Sequence, residues 1–585
     1  MTVNSLQWKI GGEAGMGIMT TGLLFSRICT RGGLQVFAYP EYPSLIRGGH
    51  NTFQVHVSAE RAWSQIRSIH LLVALNKETV DLHVDALADG AAIIYDPADF
   101  ENEQPDTGNT KNVVLVPVPM SAMIKEYGGH KVERNTISVG ASFALLDHPW
   151  ELVEEVIRDW FSGKKPELVE SNVSFAKMGY EAIAEKNADF AHRLEVIEDA
   201  PEYMVISGND SASIGAIKAG MKFYAAYPMT PSSSFLGYFA RKENDYNLVV
   251  KHTEDEIAAM NMAVGAGYAG VRAMTATSGG GFALMTEALG LAGIAEVPVV
   301  AVVGQRPGPS TGLPTWSSQG DLRFVLHASQ GEFPRIVLTP GDVEECFRMT
   351  HEAFNLAEKY QLPVIIVVDK YNQASAQSVE QFSTEGLAIN RGKLLSQEEL
   401  DAIVEKSGEF LRYEYTENGI SKRALPGMKG GRHVGTSYEH EENGYTTEDE
   451  EETVKQFDKR FKKLETYLAE DAQGPTLYGP AEAAVTLVGW GSTKLPAMQM
   501  LQTAEKEGVS VNYLHFTHID PLPKEAALTA LEGAKKTICV EANKLGQLEG
   551  WLREHTGFTM DSHFRKYGGR PFYPEELLEQ AKELQ

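Results

Sequence analysis

Cysteine is scarce. Cys29, Cys346 and Cys539 are the only three in 585 residues, and they stand far apart. No pair has the spacing of a zinc or iron–sulfur site, and a disulfide framework is implausible on count. Each is expected as a buried thiol. Positive charge is also short: 53 Lys and Arg against 79 Asp and Glu give a formal net charge of −26. Sequence-independent nucleic-acid binding needs a basic surface, so this balance argues against it. A local basic pocket for a small anion remains compatible with an acidic chain. Long apolar runs are missing too, since none approaches the ~18 residues that would suggest a membrane span. The N-terminal MTVNSLQWKIGGEAGMG lacks the charged-then-apolar pattern of a signal peptide. A cytoplasmic protein with no membrane partner is expected.

What is present reads as alternating strands and helices. The length suggests three or four domains of about 150 residues each. Residues 1–195 form an α/β domain: LQWKIGGEAGMG is a strand entering a Gly-rich turn, and HLLVALN, AAIIYD and NVVLVPVP are buried parallel strands. Residues 196–395 form a second, with strands YMVISGND, MKFYAAYP, NLVVKHT, VRAMTATS, PVVAVVGQ, PRIVLTP and LPVIIVVD. Helical segments separate most of them, the pattern of a doubly wound, mostly parallel sheet. Residues 396–475 are a connector in which TSYEHEENGYTTEDEEET carries eight acids in 18 residues. Val454, Phe457, Phe461, Leu464 and Leu468 then follow helical spacing. A last α/β domain covers 476–585, with strands AAVTLVGWGS, VSVNYLHFT and KTICVEAN. The fold class is α/β, with three doubly wound, mostly parallel-sheet domains.

In such sheets ligands bind beyond the carboxyl ends of the strands. Three central strands end in distinctive sequences: YPMTPSSS, HTEDE and TSGGG. Thr253 followed by Glu256 has the spacing of a capping box, with Glu254 and Asp255 at the positive end of the helix dipole. A helix cap and a catalytic acid are both open readings of Glu256 on this pattern. In YPMTPSSS two prolines bracket Thr230, which makes either a cap or a rigid hydroxyl–amide cradle for a carboxylate. Arg306 is the first cation after strand PVVAVVGQ, in a Gly/Pro/Ser/Thr-rich loop suited to bidentate carboxylate binding. TSGGGF lets backbone approach a ligand or simply turn. The N-terminal IGGEAGMG misses the dinucleotide spacing, although its turn can receive another phosphate, such as that of coenzyme A. In YPEYPSLIRGGHNTF, Arg47 and His50 can aim at an anion or sit in a surface turn.

Together, GNDSASIGAIKAGMKFYAAYPMTPSS, EDEIAAMNMAVGAGYAGVRAMTATSGGGFALM and GPSTGLPT…QGDL resemble the alpha subunit of 2-oxoacid:ferredoxin oxidoreductases. IGGEAGMGIMTTG with YPEY…RGG is similar to the gamma subunit of that family, and RYEYTENGISKRALPG with YEHEENGYTTED to its connector. Within the family, the gamma–alpha fusion and the TENGIS segment most resemble 2-oxoglutarate enzymes. The resemblance implies a thiamine-diphosphate enzyme that converts 2-oxoglutarate and coenzyme A to succinyl-CoA and CO2 and reduces ferredoxin, or runs the reverse carboxylation. Pyruvate, branched-chain or aryl 2-oxoacids, and a noncatalytic scaffold subunit, are the alternatives.

The central domain would be of the pyrimidine-binding type and the last transketolase C-terminal-like. Glu256 would hydrogen-bond the aminopyrimidine ring, with Tyr227 and Pro228 beside the cofactor. Thr230 and Arg306 would hold the substrate carboxylate, and Arg47 and His50 would serve a distal carboxylate. The pattern departs at Trp316, where relatives carry Arg. A GDG turn with a downstream Asn is missing: Gly320–Asp321 and Gly341–Asp342 are followed by Leu and Val. The resemblance therefore implies a beta subunit that holds the diphosphate, Mg2+ and a 4Fe-4S cluster, in a dimer of alpha–beta heterodimers.

Overall fold

The computed structural model of the chain describes residues 2–45, 48–184 and 190–585. They divide into two compact units: Met1–Ser207 with Ala374–Phe382 and Tyr573–Leu578, and Gly208–Gln373 with Ser383–Phe572 and Glu579–Gln585.

The first unit is built on an eight-stranded sheet. Its order is Val114–Pro117, Leu87–Tyr95, Ile69–Ala74, Ser5–Glu13, His50–Ser58, Gln35–Glu41, Ala376–Val379 and Met204–Ser207. The first four strands are parallel, as their continuous apolar runs require. Pairing is antiparallel from Ser5–Glu13 onward. Met204–Ser207, expected as the first strand of the central domain, lies instead in this sheet. It and Ala376–Val379 extend the sheet past Gln35–Glu41, whose edge would otherwise leave backbone groups unpaired. Trp8, Phe25 and Phe143 stack at 4.3 and 4.7 Å through the core beneath the helix Ile18–Arg31.

The second unit holds two sheets. The larger has seven strands in the order Val249–His252, Phe223–Ala226, Ala273–Ser278, Val299–Gln305, Pro363–Asp369, Ile336–Leu338 and His518–Asp520. Every pair is parallel except the last. The smaller has five, with Val511–Phe516, Val485–Trp490, Thr537–Glu541 and Ser562–Arg565 parallel and Thr476–Tyr478 antiparallel at one edge. His518–Asp520 follows Val511–Phe516 after one residue and joins the larger sheet, which ties the two together.

The connector is ordered by buried ion pairs. Glu358 accepts from Arg272 and Arg423 at 2.8 Å each, and the charge of Arg391 lies 2.6 Å from it. The expected helix is present as Glu450–Glu470; Phe457, Phe461 and Leu464 of its apolar stripe are half-buried, Leu464 against the core, but the two ends of the stripe are not. Val454 is 53% and Leu468 39% exposed, whereas Lys459 and Lys463 are buried. The reason is Glu296, a fully buried carboxylate that both lysines neutralise, with Lys459 Nζ at 2.5 Å. An unpaired buried charge costs more than leaving two aliphatic side chains in water, so the charge pattern sets the rotation of the helix.

Candidate active site

The carboxyl ends of four neighbouring strands of the larger sheet meet at one place: Ala226, His252, Ser278 and Gln305. After His252 the chain enters the helix Glu256–Tyr268. The capping box expected between Thr253 and Glu256 is absent. Asp255 is the N-cap, and its carboxylate accepts from the Ala258 N–H at 2.8 Å. The Thr253 hydroxyl donates to the Asp255 carbonyl at 2.8 Å. A cap two residues later than expected supplies the orphan N–H group with a partner and releases Glu256 from that duty.

Glu256 is 3% exposed, and its Oε1 has no hydrogen-bond partner among the described residues. Burial pushes its carboxyl pKa up, its own backbone N–H opposes the shift, and Asp255 adds to it. Gly281 in the next helix, Gly279–Ile294, makes room for it: a Cβ there would stand 2.6 Å from Oε1. Thr277 Oγ1, on the strand just before, is likewise buried without a partner. Two buried oxygens without partners, packed over one glycine, are a polar site left unsatisfied by the described residues.

Thr230 and Arg306 do meet. The Arg306 guanidinium donates to the Thr230 carbonyl at 2.8 Å, spanning the end of the strand Ala273–Ser278 that lies between theirs. Of the hydroxyl cluster after Thr230, Ser232 is buried: it donates to the Thr277 carbonyl at 2.9 Å and receives from Gln373 at 3.1 Å. Asn209 donates to the Pro231 carbonyl at 2.9 Å and to the Ser234 hydroxyl at 2.7 Å. This network fixes the loop through the Pro231 carbonyl and the Ser232 and Ser234 hydroxyls. Tyr227 is 39% exposed at the strand end, beside an exposed Pro228.

Sequence reasoning missed Asp321. Its backbone N–H donates to Gln305 at 2.9 Å, and a Cβ on Gly279 would run into its carboxylate. Burial raises its pKa to about 6, and the charge of Arg306 opposes the rise. The signal was present as the Gly320–Asp321 pair, judged only as a failed diphosphate turn. Gln373, which steadies Ser232, carried no signal.

In the first unit, His50 is neutral. Burial and the Lys9 ammonium lower its pKa to about 4, Glu41 opposing, and its Nε2 lies 2.9 Å from Nε2 of His83. It offers a hydrogen bond rather than the cation that a distal carboxylate would need. Arg47, its expected companion, lies outside the described residues. Among the described residues no group of three or more His, Cys, Asp or Glu side chains is arranged to hold a metal ion, and no helix is long and apolar enough to cross a membrane.

The chain's own domains match two family descriptions. Residues 214–459 match "Pyruvate flavodoxin/ferredoxin oxidoreductase, thiamine diP-bdg", and residues 7–182 match "Pyruvate ferredoxin/flavodoxin oxidoreductase". The parallel sheet thus lies in a domain of the thiamine-diphosphate-binding oxidoreductase class. The chain is 34% identical to the alpha subunit of 2-oxoacid:ferredoxin oxidoreductase 1 from Aeropyrum pernix, over 97% of this chain and 96% of that one. It is 29% identical to the 2-oxoglutarate oxidoreductase subunit KorA of Mycobacterium tuberculosis, over 93% and 86% of the two chains. Among solved structures, the 2-oxoglutarate:ferredoxin oxidoreductase from Magnetococcus marinus, with 2-oxoglutarate, coenzyme A and succinyl-CoA bound, superposes with a TM-score of 0.91 at 32% identity over 100% of both chains. The chain belongs to the 2-oxoacid:ferredoxin oxidoreductase alpha-subunit family, and it is a subunit of an oxidoreductase.

Proposed function

We propose that the chain is the alpha subunit of an enzyme that converts 2-oxoglutarate and coenzyme A to succinyl-CoA and CO2, with the electrons passed to ferredoxin. The observation that carries it is the buried, unpartnered Oε1 of Glu256 at the strand ends shared by Thr230 and Arg306. The substrate assignment is supported by the KorA relatives and by the 2-oxoglutarate enzyme from Magnetococcus marinus.

The residues present fit thiamine diphosphate. An acid without a protein partner, raised in pKa by burial, suits a ring nitrogen that shares a proton, and Gly281, lacking a Cβ, lets the carboxyl lie close against its helix. Bound thiamine diphosphate supplies the nucleophilic carbon and the electron sink for decarboxylation of a 2-oxoacid. Glu256 holds and returns the proton at Oε1. Tyr227 and Pro228 line the strand end beside it. Arg306, steadied by the Thr230 carbonyl, presents its remaining N–H groups to a carboxylate. Thr277, buried beside the acid at Gly281, helps keep water from it. A beta subunit is proposed to bring the diphosphate site, Mg2+ and a 4Fe-4S cluster, in a cytoplasmic dimer of heterodimers.

The test is purification from the native cell with whatever co-elutes, followed by a panel of 2-oxoacids. A brown complex with a second chain, dependent on thiamine diphosphate and coenzyme A and fastest on 2-oxoglutarate, is the expected result. A colourless, self-sufficient homo-oligomer overturns the partner assignment, and a preference for pyruvate overturns the substrate.

A further inference from the structure

The loop after Arg306 is rigid and carries a second arginine on its surface. Leu313 donates to the Pro307 carbonyl at 2.9 Å, and Trp316 donates to the Leu313 carbonyl at 3.1 Å. Beyond Trp316 the loop is pegged three times: Ser317 to Asp369 at 3.1 Å, Gln319 to the Trp490 carbonyl at 2.8 Å, and Asp321 to Gln305 at 2.9 Å. Trp316 is therefore fixed in place rather than free to swing. A turn from the last domain packs against it. The Ser317 N–H donates to the Gly569 carbonyl at 3.1 Å. Gly569 has φ 83°, and a Cβ there would stand 3.1 Å from the Trp316 Cβ and 3.6 Å from the Pro307 Cγ. The next residue, Arg570, thus starts beside the residue that follows Arg306. Its guanidinium lies over the Trp316 indole, 3.1 Å from the ring centroid.

This guanidinium has a pedestal but no acceptor. Arg570 is exposed, and among the described residues no carboxylate or carbonyl pairs with it. Stacking on an indole orients the planar fork and leaves its edge N–H groups open for an anion. Arg306 differs: one N–H is committed to Thr230, and Asp321, ionised above pH 6, offsets its charge. A substrate with one carboxylate is served by Arg306. A second carboxylate needs another cation.

Resting on the 2-oxoglutarate reading above, we propose that Arg570, held flat on Trp316, is the specificity-determining cation that receives the second carboxylate of the substrate. The indole sets the height and tilt of the fork, so Trp316 is its positioning residue. A phosphate of the acyl acceptor has the same anionic chemistry, and the two sources separate by experiment.

The experiment uses the complete complex with Arg570→Gln, Arg570→Lys and Trp316→Leu. Three quantities are read: kcat/KM for 2-oxoglutarate, kcat/KM for 2-oxopentanoate, which lacks the second carboxylate, and KM for coenzyme A. Arg570→Gln is expected to lower kcat/KM for 2-oxoglutarate by about 10- to 100-fold through KM, with 2-oxopentanoate unchanged. Arg570→Lys, which keeps charge but loses the fork, and Trp316→Leu, which keeps the fork but loses its seat, should fall between. Equal losses on both acids would make the pair merely structural and overturn the proposal. So would a change confined to the KM for coenzyme A, or no change at all. A wild-type complex that prefers 2-oxopentanoate or pyruvate removes the 2-oxoglutarate reading and this proposal together. A wild type that prefers 2-oxoglutarate with an indifferent Arg570→Gln removes only this one.

Discussion

Replacing Gly281 with Ala inserts one carbon where Glu256 now sits. The new Cβ would lie 2.6 Å from Glu256 Oε1 and 2.8 Å from its Cγ, and it would also run into the Thr277 hydroxyl. Ordinary contact begins near 3.4 Å, so the carboxyl must retreat by about 0.8 Å. The Thr277 hydroxyl is nearer still and must turn aside as well, while the backbone tolerates the change: Gly281 has no positive φ, and Ala is the better helix former by about 1 kcal/mol. The fold should therefore survive while the acid is misplaced. A displacement of this size costs on the order of 100-fold in rate, or about 2.7 kcal/mol of barrier. The assay is kcat of the reconstituted complex at saturating 2-oxoacid, with a thermal melt to confirm the fold. Gly237→Ala, where the added carbon meets only Arg241 at 3.6 Å, is the control that leaves kcat unchanged. Wild-type kcat in Gly281→Ala would refute the placement of Glu256 at the reacting end of the site.

Glu296→Gln removes the carboxylate between Lys459 and Lys463 and strands two buried ammonium groups, which should loosen the helix Glu450–Glu470 by about 3–5 kcal/mol. Hydrogen exchange read over that helix checks it, and unchanged protection would contradict it. Asp321 gives a pH signature. Burial raises its pKa from 3.8 to about 6, so the fold favours the protonated form. Its contribution to stability is full below pH 3.8 and is lost as pH rises through 6, by at most about 3 kcal/mol. Asp321→Asn should thus melt higher than wild type at pH 7.5, with the difference vanishing near pH 4. Parallel melting curves across that range would contradict the buried setting.

The strand-rich α/β pattern was legible because parallel strands need long apolar runs, and those runs stand out between helices. The strand-end site was legible for a related reason: YPMTPSSS, HTEDE and TSGGG interrupt the runs where chain direction and ligand access change together. Four features were not legible. Met204–Ser207 reads like any short apolar strand, and its sheet was decided by an edge that needed covering, a long-range demand with no local trace. The helix Glu450–Glu470 shows an apolar stripe, yet Glu296, more than 150 positions away, turned its lysines inward. The cap at Asp255 rather than Thr253 is a choice between two competent residues within one turn, and only the backbone path after His252 settles it. That shift of two positions frees the Glu256 side chain from capping. Trp316 stood out only as a departure from the family pattern, since a stacked arginine from 254 positions later cannot be read from spacing.

The most direct measurement is turnover of Glu256→Gln in the purified complex, beside its content of thiamine diphosphate and of partner subunit. The amide is nearly isosteric but cannot hold the acidic proton at Oε1. An intact, loaded complex whose kcat falls by about 100-fold or more is the expected result. Wild-type turnover in that same loaded complex would contradict the assignment of Glu256 to the chemistry.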